Sequence, residues 1–539
     1  MSSDRQTTVP PCVLHEDEHI LVVNKPAGWN THAPSPYAGE GIYEWLRNRE
    51  PRWASLAIIH RLDKETSGLL VFGKTSLANR SLTEQFAGRE VRKKYLLLTD
   101  REPKQREFTS KSKIIRAGER YVSGVHGEEA VTRFEVRSQK SDIRSISVGC
   151  YEVLAEPLTG RTHQIRVHAA ENGFPILGDT LYGGTAINRV CLHAAEIVFK
   201  HPASGEEVKF AAPVDFSADA RIALRKAIID PSETDSFRII HGASDGWPGW
   251  FVEQLGEFQL SQSEAAFTDA QREHLASRPS PLASRLYHKT LSRHVRRTTT
   301  AETSPQLDSG AAAPERFVIR ENGVKFEMSF SEGYSVGLFL DQRDNRRRLL
   351  TNHIAANFRL QTSDIRLEVL NTFAYTCGFS ACAALAGART TSLDLSKKYL
   401  EWGKRNFALN GLDPAQHDFI YGDTFDWMRR LAKKGRAFDA IILDPPTFSQ
   451  SKESGVFRAE KDYDKLVTAA LPLLKPGGVL LASTNAADLL PEKFLDQINE
   501  AVHAARRKIL QQHYVPQPPD FPICRDEPAY LKTVWLRVG

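Results

Sequence analysis

The chain has 539 residues, 41% of them hydrophobic and 25% charged, with a formal net charge of +5. That is too long for one ordinary core and implies two to four domains at roughly 100–200 residues each. No apolar stretch approaches the ~20 residues of a membrane-spanning helix, and the start MSSDRQTTVPP lacks the basic and apolar segments of a secretory signal, so the cytoplasm is the default expectation.

From residue 13 to about 212 the pattern is strand-rich: HILVVNK (19–25), LAIIHRLD (56–63), LLVFGK (69–74), KKYLLLT (93–99), EAVTRFEVRS (129–138) and YEVLAEPL (151–158). The four-residue spacing of Ala78, Leu82 and Phe86 predicts a helix over 76–87 stopped by Gly88, and a second is expected over 162–172 before Gly173. HPASGEE (201–207) reads as a hairpin turn. RIIHGASDGWPGWFVEQLGEFQL (238–260) looks like a small β-rich module, and TTTAETSPQLDSGAAAP (298–314) has the composition of a flexible linker. From 316 two strands precede a β/α alternation, LEVLNTF, RTTSLDLS, HDFIYGD, FDAIILDPP and VLLASTN, with helices such as KKYLEWGKRNFALN (397–410) between them. Such alternation means parallel strands joined by crossover helices.

Six cysteines, Cys12, Cys150, Cys191, Cys377, Cys382 and Cys524, are scattered without a CxxC pair, and His163 with His168 lack a third ligand at a metal spacing. Neither a metal site nor a disulfide framework is expected. The small net charge permits an anionic partner without demanding one, so the basic clusters Arg89 to Lys94 and Arg343 to Arg348 are the local candidates for nucleic-acid contact, though each taken alone reads first as a solvated charged face.

Taken singly, an aspartate after a strand is a turn or cap residue and a Lys-Lys-Tyr run is an edge strand. Four blocks in order change that reading: VVNKPAG (22–28), HRLDKETSGLL (60–70), KKYLLL (93–98) and GRTHQIRVHAAENGFPILGDTLYGG (160–184). Together they resemble the RluA-type RNA pseudouridine synthases, which isomerise uridine within RNA without a cofactor. The reaction calls for a carboxylate nucleophile, a cation that keeps it ionised, a group that handles the C5 proton, and a base taken out of its stack. The resemblance assigns these roles to Asp63, to Arg166, to Tyr95 stacked on the uracil, and to Arg61 in the place of the extruded base. The chain starts almost directly at this domain, so RNA capture is expected to fall to the C-terminal half.

A cofactor site for S-adenosylmethionine (SAM) on a parallel sheet needs a turn after the first strand, an acidic residue ending the second for the ribose, and a polar residue later for the adenine. NTFAYTCGFS (371–380) supplies the turn, with Asn371, Phe373, Tyr375, Thr376 and Gly378 as candidate contacts, and Asp394, Asp423 and Asp444 follow. GxGxxG is absent, which weakens an oxidoreductase reading. DPPTF (444–448) looks like the target-base motif of SAM-dependent nucleic-acid methyltransferases, with Pro445, Pro446 and Phe448 against the base. With GLFLDQRDNRR (337–347) and YLEWGKRNFALNGL (399–412) it resembles bacterial methyltransferases of large-subunit ribosomal RNA over most of 232–539. Methylating cytosine C5 requires a thiolate. This chain has Thr447 and Ser483-Thr484-Asn485 where cysteine relatives carry one, so the resemblance is read as closest to the guanine-N7 type; Cys377 is read as a packed small residue.

The expected fold is multidomain α/β: a mixed-sheet α+β pseudouridine synthase domain at 1–228, a small β-rich module at 229–297, a flexible linker at 298–315 and a Rossmann-like class I methyltransferase domain at 316–539. The expected function is a bifunctional enzyme that makes pseudouridine and methylates guanine N7 of 23S rRNA, with tRNA a further possible substrate and no membrane or metal partner. The alternatives are an idle RNA-binding second half, or methylation of cytosine C5 or an exocyclic amine.

Overall fold

The computed structural model describes residues 8–140, 149–277, 285–291, 304–332, 335–360 and 366–539. It divides into two compact units, one of Met1–Ala33, Gly41–Leu46 and Ser55–Asp230, the other of Pro34–Glu40, Arg47–Ala54 and Pro231–Gly539.

In the first unit the alternating runs form a mixed sheet. Its main path takes Val13–Glu16, Ile20–Lys25, Ser67–Gly73, Leu192–Lys200, Arg92–Thr99, Cys150–Pro157, Glu128–Lys140, Glu107–Ala117 and Arg120–Ser123 in that spatial order. Ser67–Gly73 and Leu192–Lys200 run parallel, and the register lines up Gly68, Ala194, Tyr95 and Ala155 in one row across four strands. Gly68 has φ +117°, and a Cβ there would stand on the Ala194 backbone, so only glycine permits this approach. The helix Ser76–Ala87 forms as its spacing predicts, with the Thr75 side chain accepting from the Ala78 N–H and Ala78 and Leu82 packed on Ile20, Val22, Leu69 and Val71. The helix Gln164–Glu171 buries Ile165 and Ala169 against Leu97, Phe134 and Val153.

Two differences from the sequence expectation have physical causes. LAIIHRLD is a strand only at Ala57–Ile58, because the residues after it are held by side chains of other segments rather than by a ladder. Glu107–Ala117 and Arg120–Ser123 are strands that the sequence hides, since EFTSKSKIIRA is largely solvent-facing and lacks the apolar alternation of a half-buried strand.

In the second unit seven strands form a doubly wound sheet. Numbered along the chain they are Glu368–Thr372, Arg389–Asp394, Asp418–Tyr421, Phe438–Leu443, Leu474–Thr484, Ile509–Val515 and Lys532–Val538, and they lie in the order 3-2-1-4-5-7-6 with only the last antiparallel to its neighbours. Both faces are covered: Ile442, Val479 and Leu481 join one core, and Ile441, Leu443 and Leu480 join the other. The order reverses between the first and fourth strands, and ligands bind such sheets at the carboxyl ends beside that point.

The region 229–315 departs from expectation. Ser236–His241, Trp250–Leu255, Phe258–Ser263, Leu286–Thr290 and Gln306–Ser309 form one five-stranded sheet, so part of the expected flexible linker is a strand paired with Leu286–Thr290. Residues 298–303 of that linker lie outside the described residues. Leu255, Phe258, Leu260 and Tyr287 of this sheet pack in the same core as Phe317, Ile319, Phe326 and Val369, so the small sheet and the doubly wound sheet share their interior. The basic run Arg343 to Arg348 is also corrected. All four arginines in it are buried; Arg343 is bidentate to Asp520 (2.5 and 2.9 Å) and Arg346 to Glu321 (2.6 and 2.7 Å). These guanidinium groups hold the interior together and are not a face for RNA. Among the described residues, no helix is long and apolar enough to cross a membrane, and no group of three or more His, Cys, Asp or Glu could hold a metal.

Candidate functional site

Asp63 lies in the loop between Ala57–Ile58 and Ser67–Gly73, its side chain about one quarter exposed. The loop is pinned from below. Fully buried Lys25 donates through Nζ to the carbonyls of Pro26 (3.0 Å), Trp29 (2.7 Å) and Lys64 (3.1 Å), and the Thr31 hydroxyl donates to the Leu62 carbonyl (2.8 Å). Burial pushes the Lys25 ammonium down to about 7, against the opposing pull of Glu65 and Asp63. Lys25 was present in the VVNKPAG block without an assigned role; its part is to anchor the loop that carries the carboxylate.

Arg166, on the helix Gln164–Glu171, points NH1 at Asp63 Oδ2 across 3.9 Å. Its other nitrogens are clamped: Nε and NH2 donate to the two Asp179 oxygens at 2.6 and 2.7 Å, and Tyr182 stacks on the guanidinium with 5.0 Å between Cζ and the ring centre. Burial works against the charge on Arg166, and the Asp179 hydrogen bonds and charge outweigh it, so the group stays a cation beside Asp63. Asp179 and Tyr182 belong to the LGDTLYGG segment, where the sequence alone assigned them nothing. Tyr95 enters through the sheet register, in the row of Gly68; burial and then the Asp63 charge raise its hydroxyl above the ordinary tyrosine range, so it remains a phenol. Arg61 is exposed. The structure therefore brings Asp63, Tyr95 and Arg166 into one electrostatic neighbourhood, with Arg61 two residues away on the solvent side.

In the second unit the turn after the first strand is built from backbone. Phe373 (φ 53°), Tyr375 (φ 47°) and Cys377 (φ 61°) all adopt the left-handed conformation, which costs about 1 kcal/mol or more each outside glycine. Asp394 holds this turn in place: its Oδ2 accepts the Tyr375 N–H and its Oδ1 the Ser396 N–H, both at 2.8 Å. Burial raises its pKa and those two bonds oppose the rise. Each oxygen keeps a further lone pair, which suits a vicinal diol. Asp423 caps the helix Thr424–Lys433; burial would raise its pKa, but the hydroxyl of Ser454 (2.5 Å) and the Asp426 N–H (2.9 Å) bring it below the usual carboxylate range.

Phe373 and Asp423 line a cavity of about 270 Å³ with Leu395, Phe425 and Ser454. Tyr375 lines another, of about 310 Å³, with Phe339, Asp341, Glu253, Lys289 and Tyr530. Asp444 ends the fourth strand, accepts from Gln342 Nε2 at 3.3 Å, and is pushed up to about 7 by burial and then by Asp341. Pro445 is buried, Pro446 exposed, and Phe448 half-buried with Arg458 Cζ 5.8 Å from its ring centre.

Two expected cofactor contacts also brace the turn. Asn371 donates to Ser380 Oγ (2.9 Å) and Thr376 to the Gly337 carbonyl (2.5 Å), both from buried positions. Gly378 opens the helix Gly378–Leu385, packed so closely that a Cβ would press on Leu338. Cys377 is fully buried against Gly403, and burial raises its thiol to about 12, in keeping with a packing role. Glu253 and Lys289 left no trace in the sequence, because their relation to Asp341 exists only once the small sheet is folded against the large one.

A cationic clamp on a loop carboxylate in a mixed sheet, and a 3-2-1-4-5-7-6 sheet with acidic residues at its carboxyl edge, define the class: a pseudouridine-synthase fold joined to a class I, SAM-dependent methyltransferase fold. Residues 251–537, more than half of the chain, match the S-adenosylmethionine-dependent methyltransferase family, and the chain belongs to it. Residues 19–171 match RNA pseudouridylate synthase. The chain is similar to "Ribosomal RNA large subunit methyltransferase" of Deinococcus radiodurans, 33% identical over 59% of this chain and 78% of that protein. It is equally similar to "Ribosomal RNA large subunit methyltransferase I" of Klebsiella pneumoniae, 33% identical over 56% and 74%. The solved structure "Human RNA Pseudouridylate Synthase Domain Containing 1" aligns with 27% identity, TM-score 0.33, and coverage of 38% of this chain and 83% of that one.

The protein is thus an RNA pseudouridine synthase and a SAM-dependent methyltransferase, and SAM is the cofactor of the second activity. The expected kinship with guanine-N7 enzymes is not what the comparisons support; they point to the methyltransferase I type. That expectation rested on the absence of cysteine at Thr447 and Ser483-Thr484-Asn485, with DPPTFS and the YLEW block in support. In YLEWGKRNFALN, Trp402 donates to the Glu327 carbonyl (3.1 Å) and Asn406 to the Thr376 carbonyl (2.9 Å), both from buried positions. That block braces the turn and the hairpin beside it.

Proposed function

We propose that this protein modifies large-subunit ribosomal RNA at two bases, isomerising a uridine with residues 1–228 and methylating a base with residues 229–539. The observation that carries the first half is the Asp63–Arg166–Asp179 chain. Asp63 is the nucleophile, Arg166 keeps it ionised against desolvation, Tyr95 stacks on the uracil as a neutral phenol, and Arg61 fills the place of the extruded base. The C1′–N1 bond breaks, a C1′–C5 bond forms, the C5 proton is lost to solvent, and N1 takes up a proton. Transcripts tritiated at C5 test this directly: purified protein is expected to release the label, and none released refutes the reading.

In the second half Asp394 and Asp423 suit the ribose and adenine of SAM, and the backbone of the left-handed turn suits its amino-acid end. The bound cofactor supplies a methyl group on a cationic sulfur. Asp444, Pro445, Pro446 and Phe448 form the rim against the target base. Kinship with methyltransferase I suggests cytosine C5 as the target. That route needs a thiolate, and Cys377 and Cys382 are buried, leaving only Cys524, half-buried in the segment before the last strand, among the described cysteines of this unit. Guanine N7 is a nucleophile without any thiolate and needs positioning alone. Nucleoside mass spectrometry of ribosomal RNA from a deletion strain decides between them: loss of one 5-methylcytidine supports cytosine C5, and loss of one 7-methylguanosine supports guanine N7.

A further inference from the structure

His163 precedes the helix that carries Arg166 and has no role in the chemistry above. Its backbone is left-handed (φ 55°), and its side chain makes no capping bond to that helix. Instead the ring is wedged into the site. Arg166 NH1 lies 3.1 Å from its Nε2, the Tyr182 hydroxyl 2.8 Å from its Nδ1, and Asp63 Oδ2 3.9 Å from its Nε2. The Tyr121 ring meets it edge-on at 5.2 Å, and the Tyr121 N–H donates to the same Tyr182 hydroxyl (2.9 Å).

These contacts determine where the imidazole proton sits. A guanidinium nitrogen can only donate, so Nε2 must be the acceptor. A neutral imidazole then carries its hydrogen on Nδ1, which donates to Tyr182. Arg166 is held on every nitrogen: Nε and NH2 by Asp179, NH1 by His163, with the second NH1 hydrogen left for Asp63.

We infer that His163 is a positioning residue of the isomerase site: neutral and protonated on Nδ1, it accepts from Arg166 and keeps that guanidinium aimed at Asp63, and uptake of a second proton releases it. In the imidazolium, Nε2–H would confront Arg166 N–H, donor against donor and charge against charge. Its nearest acceptor would then be Asp63, the nucleophile itself. The groups facing the ring are Asp63 from its loop, Arg166 from the same helix, Asp179 and Tyr182 from the turn after it, and Tyr121 from the strand Arg120–Ser123. Burial lowers the His163 pKa below the ordinary histidine value and the Asp63 charge opposes this, so the neutral form is the resting one at neutral pH. The device shuts the site as pH falls and leaves it intact as pH rises.

The inference rests on the reading of Asp63 as nucleophile, and the test separates the two. Glutamine is the informative replacement, since its Oε1 can accept where Nε2 does but cannot titrate; leucine fills the volume without accepting. Tritium release is measured against pH for the full-length wild type, His163→Gln, His163→Leu and Asp63→Asn, with thermal melts to verify folding. At pH 8 the glutamine variant is expected within about tenfold of wild-type kcat and the leucine variant about 100-fold down in kcat with KM little changed. On the acid side the glutamine profile should lose one proton from its slope. Nitrogen-15 NMR of histidine-labelled protein, assigned through the glutamine variant, should find His163 protonated on Nδ1. An Nε2–H tautomer, or an acid limb unchanged in the glutamine variant, overturns the inference even if Asp63→Asn is dead. Activity surviving in Asp63→Asn would instead remove the reading beneath it.

Discussion

Arg166 is placed by side chains alone, two oxygens of Asp179 and one nitrogen of His163, whereas the turn 371–378 is placed by backbone bent into the left-handed region and tied to Asp394. The first arrangement is complete without a ligand, because the cation its carboxylate needs is a permanent part of the fold. The second is a cradle in which each Asp394 oxygen accepts one main-chain N–H and keeps a further lone pair. A site that reacts with nothing but its substrate can be organised in advance by charge. A site that must admit and release a cofactor on every turnover is shaped by backbone, which presents donors without filling the space.

If that contrast is right, Asp63→Asn is the most damaging change: isomerisation should fall by at least ~10⁴-fold while methylation by the same preparation is unaffected. Parallel loss of both would mean that the sites are not independent. Asp179→Asn comes next. It leaves Arg166 buried with half its compensation, so a stability loss of about 3–5 kcal/mol in urea titrations is expected, with isomerase activity down ~100-fold. Unchanged stability would mean that Arg166 is not held as described. Asp394→Ala should weaken SAM binding by roughly 10–100-fold in calorimetry, the loss of charge-assisted bonds to the ribose, with isomerisation untouched. Cys377→Gly should bind SAM and transfer methyl groups at near wild-type rates, since the thiol is sealed in packing and glycine accepts φ 61°; an inactive, folded variant would reinstate a thiolate route. The smallest effect concerns pH. Asp444 is raised to about 7, so the folded chain holds a proton there that the unfolded chain has released above its ordinary pKa. Stability from this group is present at pH 4 and lost as pH rises toward 7, and Asp444→Asn should flatten that decline. A decline of the same depth in the variant would place its origin elsewhere.

Much of this was legible in residue order because the blocks are contiguous and their spacing repeats. The helix Ser76–Ala87 follows from a four-residue apolar period and a terminal glycine, and Lys397–Leu409 from the same logic. Asp63, Arg166 and Asp394 stand in short strings whose chemistry is readable from residue type. The guanine-N7 kinship failed because a missing cysteine at Thr447 and Ser483-Thr484-Asn485 does not by itself identify the relatives, which point to the methyltransferase I type. The linker failed at Gln306–Ser309 because strand pairing with Leu286–Thr290 overrode a composition rich in turn formers.

Sequence alone determined the periodic helices, the β/α alternation of the second half and the order of the two enzymes, since each depends on neighbours a few residues away or on blocks read in order. Tertiary structure alone decided which charges are buried and with whom. Arg343 and Arg346 became interior clamps on Asp520 and Glu321, and Asp179, Tyr182 and His163 became the frame around Arg166. A charge gains or loses its value by desolvation and by partners brought from far along the chain, and neither is set until the core has closed.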